Sequence, residues 1–409
     1  MTRAETLVES RCAWARLCAA LALMTIGGSG MYAITVVLPR VQADFGVSRS
    51  DASLPYTFTM IGFGLGGILM GRLSDRYGVM VPVIIGALGL CAGFVAAGTA
   101  GSLLQFNLAQ GLLIGLLGTS ATFAPLVADI SLWFTRRRGI AVAICISGNY
   151  LAGAVWPPVM QHFIDGAGWR QTYIGIGVFC LAAMLPLALF LRRRPPIPAQ
   201  FAAGPVTNVA GSAGKLGLSP GTLLTLLCVA GVACCVAMSM PQVHIVAYCG
   251  DLGYGPARGT QMLSLMLGCG IVSRLTFGWI SDHIGGLRTL LLGSTLQCIA
   301  LFMFLPFRGL VSLYLVSALF GLFQGGIVPA YALIVREHFT PHEAGARVGT
   351  VLMATLFGMA LGGWMSGAIF DFTGSYRAAF VNGIAWNLLN IGIVAALLYR
   401  SRTRAALAG

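Results

Sequence analysis

One arginine of this sequence lies inside a long apolar stretch. Arg274 stands four residues before Gly278, and its own apolar run contains no acidic residue. A guanidinium group in hydrocarbon costs about 3 kcal/mol or more unless it faces a partner or a water-filled cavity. Its planar fork matches the two oxygens of a carboxylate. We therefore predict that Arg274 binds a carboxylate substrate, and a structural pair with Asp129 or with helix carbonyls is the alternative.

Other polar side chains also lie within apolar runs, where each needs a partner. His244 can titrate near neutral pH, so it is a candidate for substrate binding and for proton coupling, with a packing role as the alternative. Asp129 is the second proton-coupling candidate, although it can instead pair with Arg136, Arg137 or Arg138 as an inner gate. Further polar residues of this kind are Tyr32, Asn149, Tyr150, Gln324 and Tyr331.

The elements that must position these residues are membrane helices. The mean hydropathy is +0.85, and only 9% of residues are charged, against about 25% in a soluble domain. Because a spanning helix needs about 20 apolar residues, the sequence predicts an all-α integral membrane protein with twelve transmembrane helices. Their predicted centres lie near residues 27, 61, 89, 117, 151, 181, 234, 269, 297, 322, 358 and 388.

An eight-residue pattern occurs once in each half of the chain. Residues 71–78 and 278–285 both close an apolar run, with Gly, Ser, Asp and Gly in register. A duplicated membrane unit is typical of transporters, whose binding site lies where the repeats meet. We predict two pseudo-symmetric six-helix bundles, residues 1–192 and 219–409, joined by a polar cytoplasmic linker at residues 193–218.

The net charge of +13 does not indicate nucleic-acid binding, because the basic residues are distributed as in a membrane protein. With both termini in the cytoplasm, Arg274 fits neither side and all but six of the other basic residues fall on the cytoplasmic side. The six on the outer side are Arg40, Arg49, Arg170, Arg258, Arg308 and Arg377.

Enzyme chemistry has no recognisable motif in this sequence. Gly-x-Ser-x-Gly, His-Glu-x-x-His and the Walker phosphate loop do not occur, and the 11 cysteines show no metal-ligand spacing. We predict a protein that is not an enzyme, holds no cofactor or metal and works as a monomer. Its transport must draw on ion or substrate gradients.

The twelve runs, the basic linker and the Gly-x-Leu-x-Asp-Arg-x-Gly pattern at residues 71–78 resemble the major facilitator superfamily. This resemblance implies that Gly71, Asp75 and Arg76 belong to a cytoplasmic gating network, and that Asp282 acts equivalently in the second half. It also implies that helices 1, 4, 7 and 10 line the substrate cavity. The candidates for substrate contact beside Arg274 are then Tyr32, His244, Gln324, Tyr331 and Asn149.

Several shorter segments resemble the monocarboxylate transporters and the bacterial oxalate/formate exchangers. They are Leu38-Pro39, residues 44–49, Trp133-Phe134, residues 168–170, residues 241–244 and Arg274. Animal members of the first group place an Asp where this chain has Gly270, and they carry a Lys in helix 1. The only Lys here is Lys215, in the linker, and one fixed charge suits a monoanion better than a dianion.

The sequence therefore predicts a secondary carrier of small organic anions, such as lactate or pyruvate, in a bacterial inner membrane. Proton-coupled symport by alternating access is the leading interpretation. A carboxylate-carboxylate antiporter is the first alternative. A drug or amphiphile exporter is the second alternative. It ranks below the antiporter because Gly148, Gly153 and Trp156-Pro157-Pro158 match the helix 5 signature of such exporters only in part.

Overall fold

The computed structural model describes residues 9–134, 137–193 and 218–408, without the side chains of 341–342 and 404–408. The predicted linker lies almost wholly outside the described residues, as does Arg136. The described chain is helical, and its turns between helices are short.

Over the described residues, twelve helices are long and apolar enough to span a membrane. They are α1 (Arg11–Phe45), α2 (Arg49–Tyr77), α3 (Met80–Gly98), α4 (Leu103–Trp133), α5 (Arg138–Ala167), α6 (Trp169–Leu189), α7 (Pro220–Asp251), α8 (Pro256–Ile284), α9 (Gly286–Met303), α10 (Leu310–His338), α11 (Pro341–Thr373) and α12 (Tyr376–Ala408). Each predicted centre falls inside one of these helices. The prediction of an all-α protein with twelve spans is confirmed.

Backbone contacts divide the chain into two units. The first comprises Met1–Val47 and Ala52–Val206, and the second comprises Ser48–Asp51 and Thr207–Gly409. The four residues Ser48–Asp51 thus group with the second unit, although the chain on either side of them groups with the first. The sequence did not predict this exchange.

Three of the twelve helices are interrupted. Gly28 separates two halves of α1, Arg11–Gly27 and Ser29–Phe45. The chain of α10 is helical over Leu310–Gln324 and again over Ile327–His338. In α4, wide π-helical turns over Ala109–Thr119 precede a break and a final segment, Ala124–Trp133. Broken backbone at membrane depth is tolerated only where protein buries it or water reaches it, so these interruptions mark places of special packing or binding.

Glycine lets helices approach closely at matching places in the two units. In the first unit, a Cβ on Gly62 of α2 would collide with the carbonyl oxygen of Gly111 in α4. In the second, a Cβ on Gly321 of α10 would collide with the carbonyl oxygen of Met266 in α8. Lipid gives no hydrophobic drive for helices to associate, so such backbone approach stabilises the bundle through van der Waals contact.

Replacing Gly321 with Ala should destabilise the second unit, because the new methyl group meets rigid backbone. Overpacking of this kind typically costs about 1–3 kcal/mol, which thermal unfolding of the detergent-purified protein would detect as a lower midpoint. Gly392→Ala is the matched control, since nothing lies within 4 Å of a Cβ at that glycine of α12. Equal midpoints for the two variants would contradict the close-packing argument.

The first unit contains a buried ion pair that joins α1 to α4. Arg16 donates from Nε to Asp129 Oδ2 at 2.6 Å and from Nη2 to Asp129 Oδ1 at 2.8 Å. The Arg16 guanidinium also donates to the carbonyl oxygens of Phe190 and Leu191 just after α6, and it lies over the Trp133 ring, 4.6 Å from its centroid. Both charged side chains are at most 5% exposed.

This pair corrects one sequence-based prediction. Asp129 was expected to pair with Arg136, Arg137 or Arg138, but its partner is Arg16, whereas Arg137 and Arg138 are exposed. Arg16, which the charge distribution assigns to the cytoplasmic side, is itself buried, in the second turn of α1. The reason is energetic, because a buried carboxylate gains more from a bidentate fork in the same unit than from exposed neighbours.

Replacing Asp129 with Asn should strongly destabilise the protein, because it leaves the Arg16 charge buried without a counter-ion. Loss of one partner of a buried pair costs about 3–5 kcal/mol, and thermal unfolding would show it. The double variant Arg16→Met with Asp129→Leu should recover most of the lost stability, since no charge then remains.

Asp165→Asn is the matched control for this experiment. Asp165 lies 3.9 Å from Arg40 in the same unit, and both side chains are more than half exposed, so its loss should cost only about 0–1 kcal/mol. A double variant no more stable than Asp129→Asn would show that the pair is not the cause.

Candidate functional site

Arg274 lies on the part of α8 that packs against the break in α10. The preceding residue, Ser273, is buried, and its Oγ accepts a hydrogen bond of 3.0 Å from the backbone N–H of Gly325. A Cβ on Gly326 would collide with the Phe277 ring. Two successive glycines therefore let the broken backbone approach α8 beside the partly buried Arg274.

Gln324 is the last residue of α10 before this break, and it is fully buried. Its Oε1 accepts a hydrogen bond of 2.9 Å from Nε2 of Gln242 on α7. Its own Nε2 has no hydrogen-bond partner among the described residues. A buried donor left unsatisfied costs about 1–3 kcal/mol, so this amide is suited to donate to the oxygen of a bound molecule.

The Gln242–Gln324 hydrogen bond and the turn of α8 that carries Arg274 thus both lie at one feature, the α10 break. We call these three residues the α10-break site. It offers a guanidinium fork and an amide N–H, which are both hydrogen-bond donors, and Gln242 holds the amide in place. Such donors match a carboxylate, which only accepts hydrogen bonds when ionised.

His244 lies elsewhere in the second unit. It follows Gln242 by two residues, so the two side chains leave α7 on different faces. Its ring lies against α11 and α12, where Nε2 is 2.8 Å from the carbonyl oxygen of Gly363 and Nδ1 is 3.0 Å from the hydroxyl of Tyr376. His244 is completely buried.

Tyr331 belongs to the packed core of the second unit. Its hydroxyl donates to Asn390 Oδ1 at 2.8 Å, and Asn390 Nδ2 donates to Ser294 Oγ at 2.7 Å. This chain joins α10, α12 and α9. Tyr331 therefore fixes the second half of α10, and its hydroxyl is already engaged within the protein.

Tyr32 and Asn149, the first-unit candidates, lie near the interruption in α1. Tyr32 is buried in the second half of that helix, four residues after Gly28. Asn149 of α5 is partly buried, and its Oδ1 lies 3.6 Å from where a Cβ on Gly28 would stand.

The residues of the duplicated pattern lie at helix ends. Asp75 and Arg76 are exposed in the last turn of α2, where the Arg76 guanidinium lies 5.3 Å from the Tyr77 ring centroid. Asp282 is exposed near the end of α8, and Gly71 has open space around it. In the described parts of the chain, no ion pair involves Asp75, Arg76 or Asp282.

Several residues of these arrangements were missed by sequence reasoning. Gln242 carried a signal, since an amide beside Pro241 within an apolar run needs a partner. Tyr376 gave a weaker signal, because it stands at the boundary of an apolar run, where polar residues are common. Across the described residues, no group of three His, Cys, Asp or Glu side chains could hold a metal ion.

Comparisons with known proteins agree with this architecture. The sequence profile of the Major Facilitator Superfamily matches residues 18–315 and 225–408. Monocarboxylate transporter 13 of Bos taurus is 29% identical over 348 residues, which cover 85% of this chain and 79% of that protein. An uncharacterized MFS-type transporter, YcxA of Bacillus subtilis, is 25% identical over 359 residues, which cover 83% of this chain and 84% of YcxA.

A solved structure shows the same fold. It is the inward-facing, unoccupied form of a bacterial homolog of the human lysosomal transporter Spinster, with a TM-score of 0.73 over 97% of this chain and 98% of that chain. The sequence identity is 14%, so the likeness concerns the fold alone. With its twelve membrane helices and its profile match, this chain belongs to the Major Facilitator Superfamily and is a membrane transporter that resembles the monocarboxylate group.

Proposed function

We propose that this transporter carries small monocarboxylates, such as lactate or pyruvate, together with a proton. It works by alternating access in the plasma membrane of a bacterium, with both termini in the cytoplasm and one chain as the working unit. The predominance of basic residues on one side of the predicted spans supports this orientation. Neither a cofactor nor nucleic acid takes part in the proposed cycle.

The observation that carries the proposal is the unsatisfied amide of Gln324 at the α10 break. A fully buried Nε2 without an acceptor among the described residues is costly, and a carboxylate oxygen would satisfy it. Discontinuous helices are where secondary transporters bind their substrates. The Gln324 amide can therefore orient a bound anion at a broken helix, where transport sites occur.

Arg274 supplies the charge for the same anion. Its guanidinium can hold both oxygens of one carboxylate, and the position one turn earlier is Gly270, which adds no charge. Arg274 is a single fixed charge, and one fixed charge suits a monoanion better than a dianion. This balance favours monocarboxylates over dicarboxylates.

The relatives named as monocarboxylate transporters support the same substrate class. Symport with a proton makes the transported pair electrically neutral, so its passage does no work against the membrane potential. Exchange of one carboxylate for another would also be neutral. The two differ in whether net accumulation follows a pH gradient.

We assign gating to Gly71, Asp75, Arg76 and Asp282, as their place in the duplicated pattern implies. Asp75, Arg76 and Asp282 are exposed at the ends of α2 and α8, where their charges can form and break pairs at little desolvation cost. Asp129 is given a structural role instead, because both of its oxygens accept hydrogen bonds from Arg16.

Replacing Arg274 with Gln should abolish uptake while expression is retained. A bidentate charge-assisted contact is worth roughly 3 kcal/mol, so the efficiency of radiolabelled lactate uptake into proteoliposomes should fall about 100-fold. Arg274→Lys should recover only part of it, because a point charge cannot hold two oxygens at once.

Arg258→Gln is the matched control for Arg274→Gln. Arg258 lies at the start of the same helix, is exposed, and donates to Gln261, so its loss should leave uptake unchanged. Uptake of lactate by the Arg274→Gln variant at the wild-type rate would remove the core of the proposal.

Replacing Gln324 with Leu should raise the KM for lactate about tenfold, because one hydrogen bond to a charged group is worth about 1.5–3 kcal/mol. Initial rates over a range of lactate concentrations would show this. Gln297→Leu is the control, since Gln297 is equally buried in the same unit but bonds to Cys234. A KM change common to both variants would indicate a general packing effect instead.

A further inference from the structure

Arg49 is held by a dense set of contacts in the second unit. Its Nη1 donates to Asp251 Oδ2 at 3.0 Å and to the Tyr376 hydroxyl at 2.7 Å, and its Nη2 donates to Asp251 Oδ1 at 3.3 Å. The guanidinium lies 4.5 Å from the Phe370 ring centroid. Arg49 is 8% exposed although it begins a helix, so three helices of the second unit, α7, α11 and α12, enclose it.

The backbone of the same segment is also docked. The N–H groups of Arg49 and Ser50 donate to the two oxygens of Asp371, at 2.9 and 2.8 Å. This carboxylate caps the start of α2, where backbone donors lack helical partners. A Cβ on Gly367 would lie only 2.9 Å from the carbonyl oxygen of Arg49, so glycine is needed for the close approach.

The hydrogen-bond directions around His244 follow from its partners. The carbonyl oxygen of Gly363 only accepts, so His244 Nε2 carries a hydrogen and donates to it. In the neutral ring Nδ1 is then an acceptor, and the Tyr376 hydroxyl donates to it. The same hydroxyl oxygen accepts from Arg49. A directed chain therefore runs from Arg49 through Tyr376 to His244.

A second proton on His244 reverses one link of this chain. The Nδ1–H of the cation must point at the Tyr376 oxygen, which already accepts from the Arg49 cation, and the Tyr376 hydrogen loses its acceptor. Two cations then share one hydroxyl oxygen, that of the buried Tyr376. Protonation of His244 and docking of Arg49 therefore destabilise each other.

We propose that His244 is a proton-binding site whose occupation releases Arg49 from the second unit. While Arg49 is docked, His244 is neutral and completely buried. When Arg49 leaves, His244 Nδ1 takes a proton from the aqueous phase and keeps Tyr376 as its acceptor. By linkage, acid favours the released form as strongly as release favours protonation.

The other charged and titratable groups around His244 allow this exchange. Asp371 of α11 accepts from the docked backbone, Asp251 and Tyr248 of α7 lie toward Arg49 and Tyr376, and Tyr376 belongs to α12. Among the described residues, neither α8 nor α10 gives His244 a hydrogen bond, ion pair or ring contact. Release of Arg49 removes the cation beside His244 and leaves the carboxylates near it.

This inference deepens the proposed function, on which it rests for the role of the proton. Arg49 begins α2, and release of its side chain removes the tie that holds the segment Ser48–Asp51 within the second unit. A proton that controls this tie couples its own binding to the motion that alternating access requires.

Hydrogen–deuterium exchange of the full protein in detergent tests the proposal without any substrate. We expect the amides of Arg49 and Ser50 to lose at least tenfold in protection from pH 7.5 to pH 5.5, after correction for the intrinsic pH dependence. In His244→Gln the protection should be independent of pH. His283→Gln, an exposed histidine that bonds to a backbone carbonyl within its own helix, should behave as the wild type.

Tyr376→Phe gives a second variant that keeps the ring packing but removes the hydroxyl link. Its segment should remain capped by Asp371 at both pH values, because protonation of His244 no longer reaches Arg49. Loss of protection at acid pH in either His244→Gln or Tyr376→Phe, equal to that of the wild type, would overturn the proposal.

Proteoliposome assays separate this inference from the proposed function. His244→Gln should exchange lactate across the membrane in counterflow but lose accumulation driven by an acid exterior. If the wild type moves no lactate yet shows the pH-dependent protection, the proton switch stands and the substrate assignment fails. If His244→Gln accumulates lactate as the wild type does, the switch fails and the carrier function stands.

Discussion

A guanidinium group removed from water must be held by a carboxylate, by backbone oxygens or by an aromatic face, and this constraint governs the two buried arginines of the described residues. Arg16 meets it with Asp129, two carbonyl oxygens and the Trp133 ring. Arg49 meets it with Asp251, Tyr376 and the Phe370 ring. Both oxygens of Asp129 are bound to Arg16, whereas the Arg49 arrangement depends on a hydroxyl that is shared with His244. The same physical requirement thus yields a permanent pair at Arg16, and a pair at Arg49 that we propose is released when His244 binds a proton.

The breaks in α1, α4 and α10 meet a related constraint for the backbone. Unwound turns leave N–H and C=O groups without helical partners, and each must be satisfied inside the protein. Ser273 does so for Gly325, and the paired glycines let α8 and α10 approach closely enough for that contact. The break leaves Gln324 Nε2 buried without a hydrogen-bond acceptor among the described residues. In a transporter, a transiently bound ligand can supply that acceptor.

The number, type and position of the membrane helices could be predicted from the sequence, because an apolar run of sufficient length has one stable form in lipid. The place of Arg274 beside a broken helix was partly predictable, since Gly325 and Gly326 interrupt an apolar run. The contacts between residues far apart in the sequence could not be predicted. Asp129 has arginines close by in the sequence, but the pair it forms is with Arg16, which a chain separation of more than a hundred residues hides.

The proton path was equally hidden, for a different reason. His244 was identifiable as a buried titratable residue. The direction of its hydrogen bonds, however, depends on Gly363, Tyr376 and Arg49, which come from distant parts of the chain. Arg49 resembles an ordinary boundary cation in the sequence, and nothing local indicates that Ser48–Asp51 groups with the second unit. Local composition sets the helices, whereas the site arises from contacts between residues far apart in sequence.

The central claim is that an acid exterior drives a monocarboxylate inward through this chain. The most direct measurement is the accumulation of radiolabelled lactate in proteoliposomes at neutral internal pH, with the outside set acid or neutral. We expect lactate to accumulate above the external concentration only when the outside is acid, and the accumulation to collapse on addition of a protonophore. Uptake that ignores the pH gradient and requires liposomes preloaded with a carboxylate would contradict symport. An absence of any lactate movement would contradict the substrate assignment.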